Sequence, residues 1–272
     1  MVLGEWVNNL DYYNDLYKKG KPFEHIIINN FFDDDYIQEI SNNFPLPTDN
    51  DNNWKYYHNP LEHKYSLNNF DNYPKIKEVF DYLQTEDFIQ LLRKITDINN
   101  LENDHHLHGA GIHAYPNRGK LDIHLDYNIH PITFKERRIN LIIYLNKDWD
   151  DAYGGNIQLF DENRNKTDIT IKPRFNSAII FKTCDISYHG LPEPIKCPDN
   201  YYRKSIAIYY LSEPRENLTK RFKAEYFPQN NQPVNEGLLK LYEIRKNRLI
   251  TKEDLDNYYP DWEIDDIKNG YW

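Results

Sequence analysis

The stretch LDIHLDYN, from Leu121 to Asn128, decides the fold, because the rest of the chain is arranged around it. Its apolar and polar residues alternate as they do in a β-strand. This alternation places His124 and Asp126 on the same face, about 7 Å apart along the strand. A neutral imidazole and a carboxylate on one face can share a cation. The stretch therefore predicts a strand that carries part of a metal site.

A third ligand for such a metal site is offered by a histidine much later in the sequence. Two histidines and one carboxylate on one face of a metal ion are the ligand set of non-haem Fe(II) oxygenases. His189 is the candidate, because no histidine follows it in the chain and His130 lies too close to the first pair. Three ligands of this kind leave three positions on iron for a bidentate co-substrate and O2.

Short strand-like runs separated by turn signals indicate the fold class. The runs cover residues 108–115, 121–127, 138–145, 156–160, 167–171, 177–181 and 203–211. Glycine, proline and asparagine clusters separate them at even intervals, which is typical of an antiparallel sandwich or jelly roll. We therefore predict a mainly β fold with flanking helices.

Helical periodicity flanks this core on both sides. It covers residues 5–19, 74–83 and 86–98, a segment that begins at the acidic run 33–35, and, after the core, residues 238–250 and 252–258. The stretch 44–72 is rich in Pro, Asn, Asp and aromatic residues, and it predicts irregular structure. We predict a helical support region (1–103) packed on the core, a catalytic core (104–214) and a helical C-terminal extension (215–272), in one compact domain.

The charge and composition of the chain argue against several classes of main partner. The chain has 272 residues and a formal net charge of -10, which argues against nucleic acid and against an anionic membrane as partners. Two cysteines, Cys184 and Cys197, favour a reducing compartment without a disulfide framework. We see no signal peptide and no apolar run of the ~20 residues that a membrane span requires. These features predict a cytoplasmic protein and leave its oligomeric state open.

Arg203, at the start of the last predicted apolar strand, is a cation that could bind an anionic co-substrate. The planar guanidinium of Arg203 suits bidentate binding of a carboxylate, such as the distal carboxylate of 2-oxoglutarate, better than an ammonium group does. Ser205 shares a strand face with Arg203, so its hydroxyl is placed to donate to the same carboxylate.

Several further motifs carry a family resemblance. Tyr115-Pro116, the segments 143–150 and 154–160, and Arg203-x-Ser205 occur in this order between Gly111 and Leu211. This part of the chain resembles the core of the 2-oxoglutarate/Fe(II)-dependent oxygenases, in their prolyl-4-hydroxylase-like branch. The resemblance implies a double-stranded β-helix (a cupin-like jelly roll). It also implies Fe(II), 2-oxoglutarate as co-substrate, O2, and ascorbate as reductant.

The same resemblance implies roles for individual residues. His124, Asp126 and His189 would bind iron. Arg203 and Tyr144 would bind the distal carboxylate of 2-oxoglutarate, and Tyr115 would line the co-substrate pocket.

Strand parity adds further residues to the pocket wall. It places Asn140 and Ile142 on the face of Tyr144, with Ile157 opposite. His113 lies on the same strand face as Tyr115, so a contact between His113 and the substrate is one open alternative. The pair Arg137-Arg138 is interpreted as a solvated loop end, although an acidic substrate group could use it.

The implied reaction is hydroxylation of an aliphatic carbon coupled to oxidation of 2-oxoglutarate. The carboxylate of Asp126 fills a position on iron that related halogenases leave open for chloride, and this favours hydroxylation. Prolyl residues of a peptide or protein are the first substrate class. The alternative is a small molecule, such as a free amino acid or a nucleotide-linked sugar. A hypothesis of another class is a jelly-roll binding protein that holds a metal without turnover.

Overall fold

The computed structural model describes residues 2–47, 53–230 and 232–270. Its helices are α1 (Leu10–Lys19), α2 (Asp34–Asn42), α3 (Pro74–Leu83), α4 (Glu86–Thr96), α5 (Glu236–Arg245), α6 (Lys252–Tyr258) and α7 (Trp262–Asn269). Its strands are β1 (His25–Asn29), β2 (Lys55–Asn59), β3 (Glu62–Leu67), β4 (Gly111–Tyr115), β5 (Lys120–Leu125), β6 (Glu136–Tyr144), β7 (Ile157–Phe160), β8 (Lys166–Ile171), β9 (Ser177–Lys182), β10 (His189–Leu191), β11 (Arg203–Ser212) and β12 (Glu225–Phe227).

The strands form an antiparallel sheet that curls almost into a barrel. Among the described residues its order is β1-β9-β6-β11-β4-β3-β5-β10-β7-β8, with β12 on β5 and β2 on β3. Tyr144 of β6 and Ile157 of β7 are far apart in this order, yet they belong to one apolar cluster. The sheet therefore folds back on itself and encloses an interior. This arrangement confirms the predicted double-stranded β-helix with flanking helices.

Strand β6 shows how the sequence separates the two faces of the sheet. Ile139, Leu141 and Ile143 point outward into the large core that α2, α3 and α4 cover. Asn140 and Tyr144 point into the barrel, as period-two alternation requires. Each buried Ile or Leu contributes about 1.5–3 kcal/mol relative to an exposed one. The outer face therefore holds the helices, and the inner face is left for polar groups.

The predicted helices of the N-terminal region are present. Asp33 caps α2, because its carboxylate accepts hydrogen bonds from the backbone N–H groups of Asp35 and Tyr36. Proline stands at the start of α3, and the Thr85 hydroxyl caps α4 by accepting from the Phe88 N–H. Each cap satisfies donors that a helix start leaves without partners.

The prediction that residues 44–72 are irregular is wrong for residues 55–59 and 62–67, and residues 48–52 lie outside the described residues. This stretch contains β2 and β3, and β3 pairs with both β4 and β5, so it forms part of the barrel wall. Its residues read as a polar loop because charged side chains such as Glu62 and Lys64 face the interior rather than an apolar core. Strand β12 and helix α7 were also not predicted.

The division into three regions stays a prediction, although strands from the first and third regions hydrogen-bond to the core. Strand β1 pairs with β9, and β12 pairs with β5. Cys184 and Cys197 are both free thiols. Within the described ranges, no helix is long and apolar enough to cross a lipid bilayer.

Candidate active site and metal centre

The side chains of His124, Asp126 and His189 meet inside the barrel. Their potential ligand atoms lie within 4.8 Å of one another, and all three residues are buried. Nε2 of His124 is 3.7 Å from Oδ1 of Asp126, and the centroids of the two imidazole rings are 4.3 Å apart. Two imidazoles and one carboxylate at this spacing can bind one Fe(II) from a single side.

Strand register accounts for this convergence. His189 of β10 pairs directly with His124 of β5, so two residues far apart in sequence face each other. The next residue is Gly190, where a Cβ atom would lie 2.9 Å from the carbonyl oxygen of Leu121. Glycine therefore allows β10 to approach β5 closely at the site.

The two histidines are held in the tautomer that a metal requires. Nδ1 of His124 lies 2.9 Å from the carbonyl oxygen of Asp122, and Nδ1 of His189 lies 2.9 Å from that of Ser187. A carbonyl oxygen can only accept, so each Nδ1 carries the proton and each Nε2 has a free lone pair. Burial and the neighbouring His189 lower the pKa of His124 to about 3. This imidazole is therefore neutral at pH 7.

The carboxylate of Asp126 is oriented by a neighbour on β6. The Nδ2 group of Asn140 donates a hydrogen bond of 3.1 Å to Oδ2 of Asp126, which leaves Oδ1 towards the histidines. Burial by itself would raise the pKa of Asp126, but His189 and Arg137 help to hold it below its ordinary value. The site thus presents a charged carboxylate, the form that binds a cation.

A ring from the C-terminal region supports His124. Tyr226 of β12 stacks on the imidazole, with ring centroids 5.1 Å apart and an angle of 19° between the planes. Its hydroxyl donates to Oε2 of Glu62 at 3.2 Å. The C-terminal extension therefore contacts a candidate metal ligand directly, a role that the sequence did not indicate.

We expect Tyr226→Ala to weaken Mn(II) binding by about 10- to 100-fold, the usual cost of losing a group that orients a ligand. Tyr226→Phe keeps the stacked ring and should stay close to wild type. Electron paramagnetic resonance of free Mn(II) measures both affinities. An equal loss in the two variants would mean that the hydroxyl, and not the stacked ring, is what matters.

Glu62 is the centre of a buried charge cluster beside the site. Nε of Arg245 donates to Oε1 of Glu62 at 2.9 Å, and Nζ of Lys64 lies 3.4 Å from Oε2. Burial would raise the pKa of Glu62, yet Arg245 and Lys64 lower it to about 2. One carboxylate thus serves two cations and joins β3 to α5.

Glu62→Gln should lower the free energy of unfolding at pH 7 by on the order of 3 kcal/mol, because two buried cations lose their partner. The folded-state pKa lies below the ordinary value, so the stabilisation is complete above about pH 4.5 and is lost as pH falls towards 2. Urea unfolding of wild type and variant should therefore converge over this interval. A difference that is independent of pH would contradict the assignment. Glu225→Gln, which removes a partly exposed carboxylate, should cost less than about 1 kcal/mol.

The other end of the cavity has the features of a carboxylate site. Nε of Arg203 donates to the Gly155 carbonyl oxygen at 2.6 Å, and its guanidinium lies 4.9 Å from the ring centroid of Tyr144. Among the residues that the structure describes, Arg203 Nη2 and the Tyr144 hydroxyl are buried without a hydrogen-bond partner. Buried donors without partners are costly, so these groups fit a ligand oxygen such as that of 2-oxoglutarate.

The remaining predicted pocket residues line the same cavity, which has a volume of about 330 Å³. They are Tyr115, Ser205, Asn140, Ile142 and Ile157. His113 also lines it, and burial together with nearby cations lowers the pKa of this imidazole to about 3. The structure thus brings all the predicted site residues to one interior, and their individual roles stay proposals.

The interpretation of Arg137 as part of a solvated loop end is wrong. Its side chain is 1% exposed, and its guanidinium lies between two rings, 3.4 Å from the centroid of Tyr127 and 3.2 Å from that of Tyr209. A β-bulge is the cause, because the β11 register shifts from Tyr210 opposite Ile139 to Leu211 opposite Arg137. The bulge turns Arg137 inward, where simple alternation would place Arg138.

Fold and site together define a double-stranded β-helix protein in which two histidines and one carboxylate form a candidate metal centre. Residues 110–211 match the sequence model of the 2OG-Fe(II) oxygenase superfamily. The resemblance of this part of the chain to the 2-oxoglutarate/Fe(II)-dependent oxygenases is therefore confirmed. This family uses Fe(II), 2-oxoglutarate and O2. A comparison with curated proteins gives no significant match.

Solved structures with a similar fold include three prolyl hydroxylases. One, from Trichoplax adhaerens, is in complex with a peptide fragment of the hypoxia inducible factor oxygen degradation domain, at 17% identity and TM-score 0.55, over 77% of this chain and 94% of that one. A Pseudomonas putida prolyl-4-hydroxylase has 11% identity and TM-score 0.53, over 75% and 100%. A Phytophthora capsici prolyl 4-hydroxylase has 14% identity and TM-score 0.55, over 97% and 86%. At these identities the likeness is one of fold.

Proposed function

We propose that this protein is an Fe(II)/2-oxoglutarate-dependent dioxygenase that hydroxylates an aliphatic C–H bond, with prolyl residues of a peptide or protein as its substrate class. The observation that carries the proposal is the pairing of two buried sites in one cavity. His124, Asp126 and His189 form a ligand set for iron. Nη2 of Arg203 is buried and has no hydrogen-bond partner among the described residues, so it is free to bind a dicarboxylate.

Each group in this arrangement has a distinct task. Iron, when bound, would supply the activation of O2 and 2-oxoglutarate. The backbone carbonyls of Asp122 and Ser187 hold the histidine protons at Nδ1. Asn140 orients the Asp126 carboxylate. Arg203 and Tyr144 would bind the distal carboxylate of the co-substrate, and Ile142 and Ile157 would exclude water from it.

A groove beside the cavity supports an extended substrate such as a peptide. Its volume is about 890 Å³, and it shares Lys55, Tyr57, Glu62 and Leu249 with the cavity wall. Tyr56, His58 and Trp262 also line the groove. Tyr56 is 51% exposed, and an exposed aromatic ring of this kind can pack against prolyl rings and peptide backbone. A chain lying in this groove would enter the cavity next to the metal ligands.

The test is release of succinate from 2-oxoglutarate with Fe(II) and ascorbate, the proposed reductant. Wild-type protein should produce succinate, slowly without substrate and faster with a prolyl peptide. Faster release with a free amino acid or a nucleotide-linked sugar would favour the small-molecule alternative. Tight metal binding without any succinate would contradict the proposal and favour a binding protein, for which a buried arginine at the far end of the cavity has no evident use.

A further inference from the structure

The cavity carries a charge opposite to that of the whole protein. The chain has a formal net charge of -10. The charged side chains that line the cavity comprise six cations, Lys55, Lys64, Arg137, Arg203, Lys223 and Arg245, and two carboxylates, Glu62 and Asp126. Concentrating cations in one cavity of an acidic protein raises the local concentration of anions there. The molecules that bind in this cavity are therefore expected to be anionic.

The co-substrate alone does not balance these charges. This step rests on the proposed function, in which a ferrous ion, Asp126, doubly charged 2-oxoglutarate and Arg203 together are neutral. Glu62 and Arg245 cancel each other through their 2.9 Å ion pair. Of the four remaining cations, Lys55 and Lys223 are exposed, so Lys64 and Arg137 are left as two positive charges inside the loaded site. Buried charges without compensation are strongly disfavoured, so a further anion is expected beside them.

Arg137 is held rigidly with one donor still available. Its two flanking tyrosine rings fix the plane of the guanidinium, and Nη2 donates to the carbonyl oxygen of His108 at 3.0 Å. Nη1 lies 3.9 Å from Oδ1 of Asp126. Nε is buried and has no hydrogen-bond partner in the described part of the chain. A preorganised guanidinium that lacks a full set of acceptors is a binding group for an oxyanion.

Lys64 is the second cation of this subsite. Its side chain is 13% exposed, and its nearest carboxylate, Glu62 at 3.4 Å, is shared with Arg245. Lys64 and Arg137 both act on the Tyr209 hydroxyl, because their charges partly offset the burial that raises the pKa of this tyrosine to about 12. Both cations therefore lie within electrostatic reach of Tyr209, which lines the same cavity.

We propose that Lys64 and Arg137 form an anion subsite that binds a carboxylate of the substrate, so that the substrate carries this group close to the carbon to be hydroxylated. The carboxylate has two possible sources. It is either the free carboxylate of a small substrate or the acidic side chain of a residue beside a prolyl residue in a peptide.

Acetate and acetamide test the subsite because they share one shape and differ in charge. Calorimetry on protein loaded with Mn(II) and saturated with 2-oxoglutarate should show acetate binding at least about tenfold more tightly than acetamide. Lys64→Met and Arg137→Met should each remove this preference. Lys94→Met, which neutralises an exposed lysine on α4, should keep it. If Arg137→Met does not fold, the acetate preference of wild-type protein and its loss in Lys64→Met test the subsite.

Equal binding of acetate and acetamide by wild-type protein would overturn the subsite, as would a preference that survives both substitutions. Protein that binds neither Mn(II) nor 2-oxoglutarate would contradict the proposed function as well. Protein that binds both but does not distinguish acetate from acetamide contradicts the subsite alone.

Two matched pairs then identify the source of the carboxylate. N-acetyl-L-proline and its N-methylamide differ in a terminal carboxylate, whereas acetyl-Pro-Asp-amide and acetyl-Pro-Asn-amide differ in a side-chain carboxylate. A charge preference in the first pair assigns a small substrate, and one in the second pair assigns an acidic peptide.

Discussion

Asp126→Ala is expected to abolish turnover of 2-oxoglutarate while the fold persists. The substitution removes the anionic ligand from the candidate metal site, where the ligand atoms lie within 4.8 Å of one another. The loss should exceed the ~10- to 100-fold effect of deleting a group that only orients a ligand. His124→Ala should behave in the same way. Succinate release measures turnover, and circular dichroism measures the fold.

Asp122→Asn is the matched control for this substitution. Asp122 is a buried carboxylate on β5, but it accepts a hydrogen bond of 2.7 Å from the Tyr242 hydroxyl and lies outside the ligand set. Asparagine keeps an acceptor for Tyr242 but removes the charge that faces buried Lys120 at 3.3 Å. The variant should therefore be less stable than wild type and still retain turnover. Full activity of Asp126→Ala or of His124→Ala would remove that residue from the metal site.

Arg203→Met should raise the dissociation constant of 2-oxoglutarate by on the order of 10²-fold to 10³-fold, because it removes one partner of a buried charge pair. Arg203→Lys keeps the charge but cannot bind in a bidentate manner, so an intermediate loss is expected. Calorimetry with Mn(II)-loaded protein gives these affinities. The affinity for Mn(II) itself should stay unchanged.

Arg138→Gln is the control for the loss of an arginine. Arg138 stands on β6 outside the cavity, where its Nη1 donates to the Ser212 hydroxyl at 3.1 Å. Binding of 2-oxoglutarate should be unaffected in this variant. Unchanged affinity for 2-oxoglutarate in Arg203→Met would mean that the co-substrate binds elsewhere.

The sequence predicted those parts of the site that follow from strand parity and the order of motifs. His124 lies on β5 and Asp126 directly follows the last residue of that strand, and alternation places the two side chains on one face. The same argument correctly placed Asn140, Ile142 and Tyr144 in the barrel interior. These predictions succeed because a strand buried on one face has little freedom of register.

The features that were missed depend on contacts between distant parts of the chain. A β-bulge, which leaves no signal in a single sequence, turns Arg137 into the cavity. Lys64 lies on a strand whose polar residues suggested a loop, because the cavity that surrounds them forms only in the folded protein. Tyr226 reaches His124 through the pairing of β12 with β5, and nothing local to either residue indicates that contact.

The most direct test of the central claim is the position of a metal ion in crystals grown without oxygen, with Mn(II) and 2-oxoglutarate present. Anomalous scattering at the manganese absorption edge locates the ion independently of the protein atoms. We predict one peak within about 2.3 Å of Nε2 of His124, Nε2 of His189 and a carboxylate oxygen of Asp126, with the co-substrate extending towards Arg203. A metal bound elsewhere, or no metal at these residues under saturating Mn(II), would contradict the assignment.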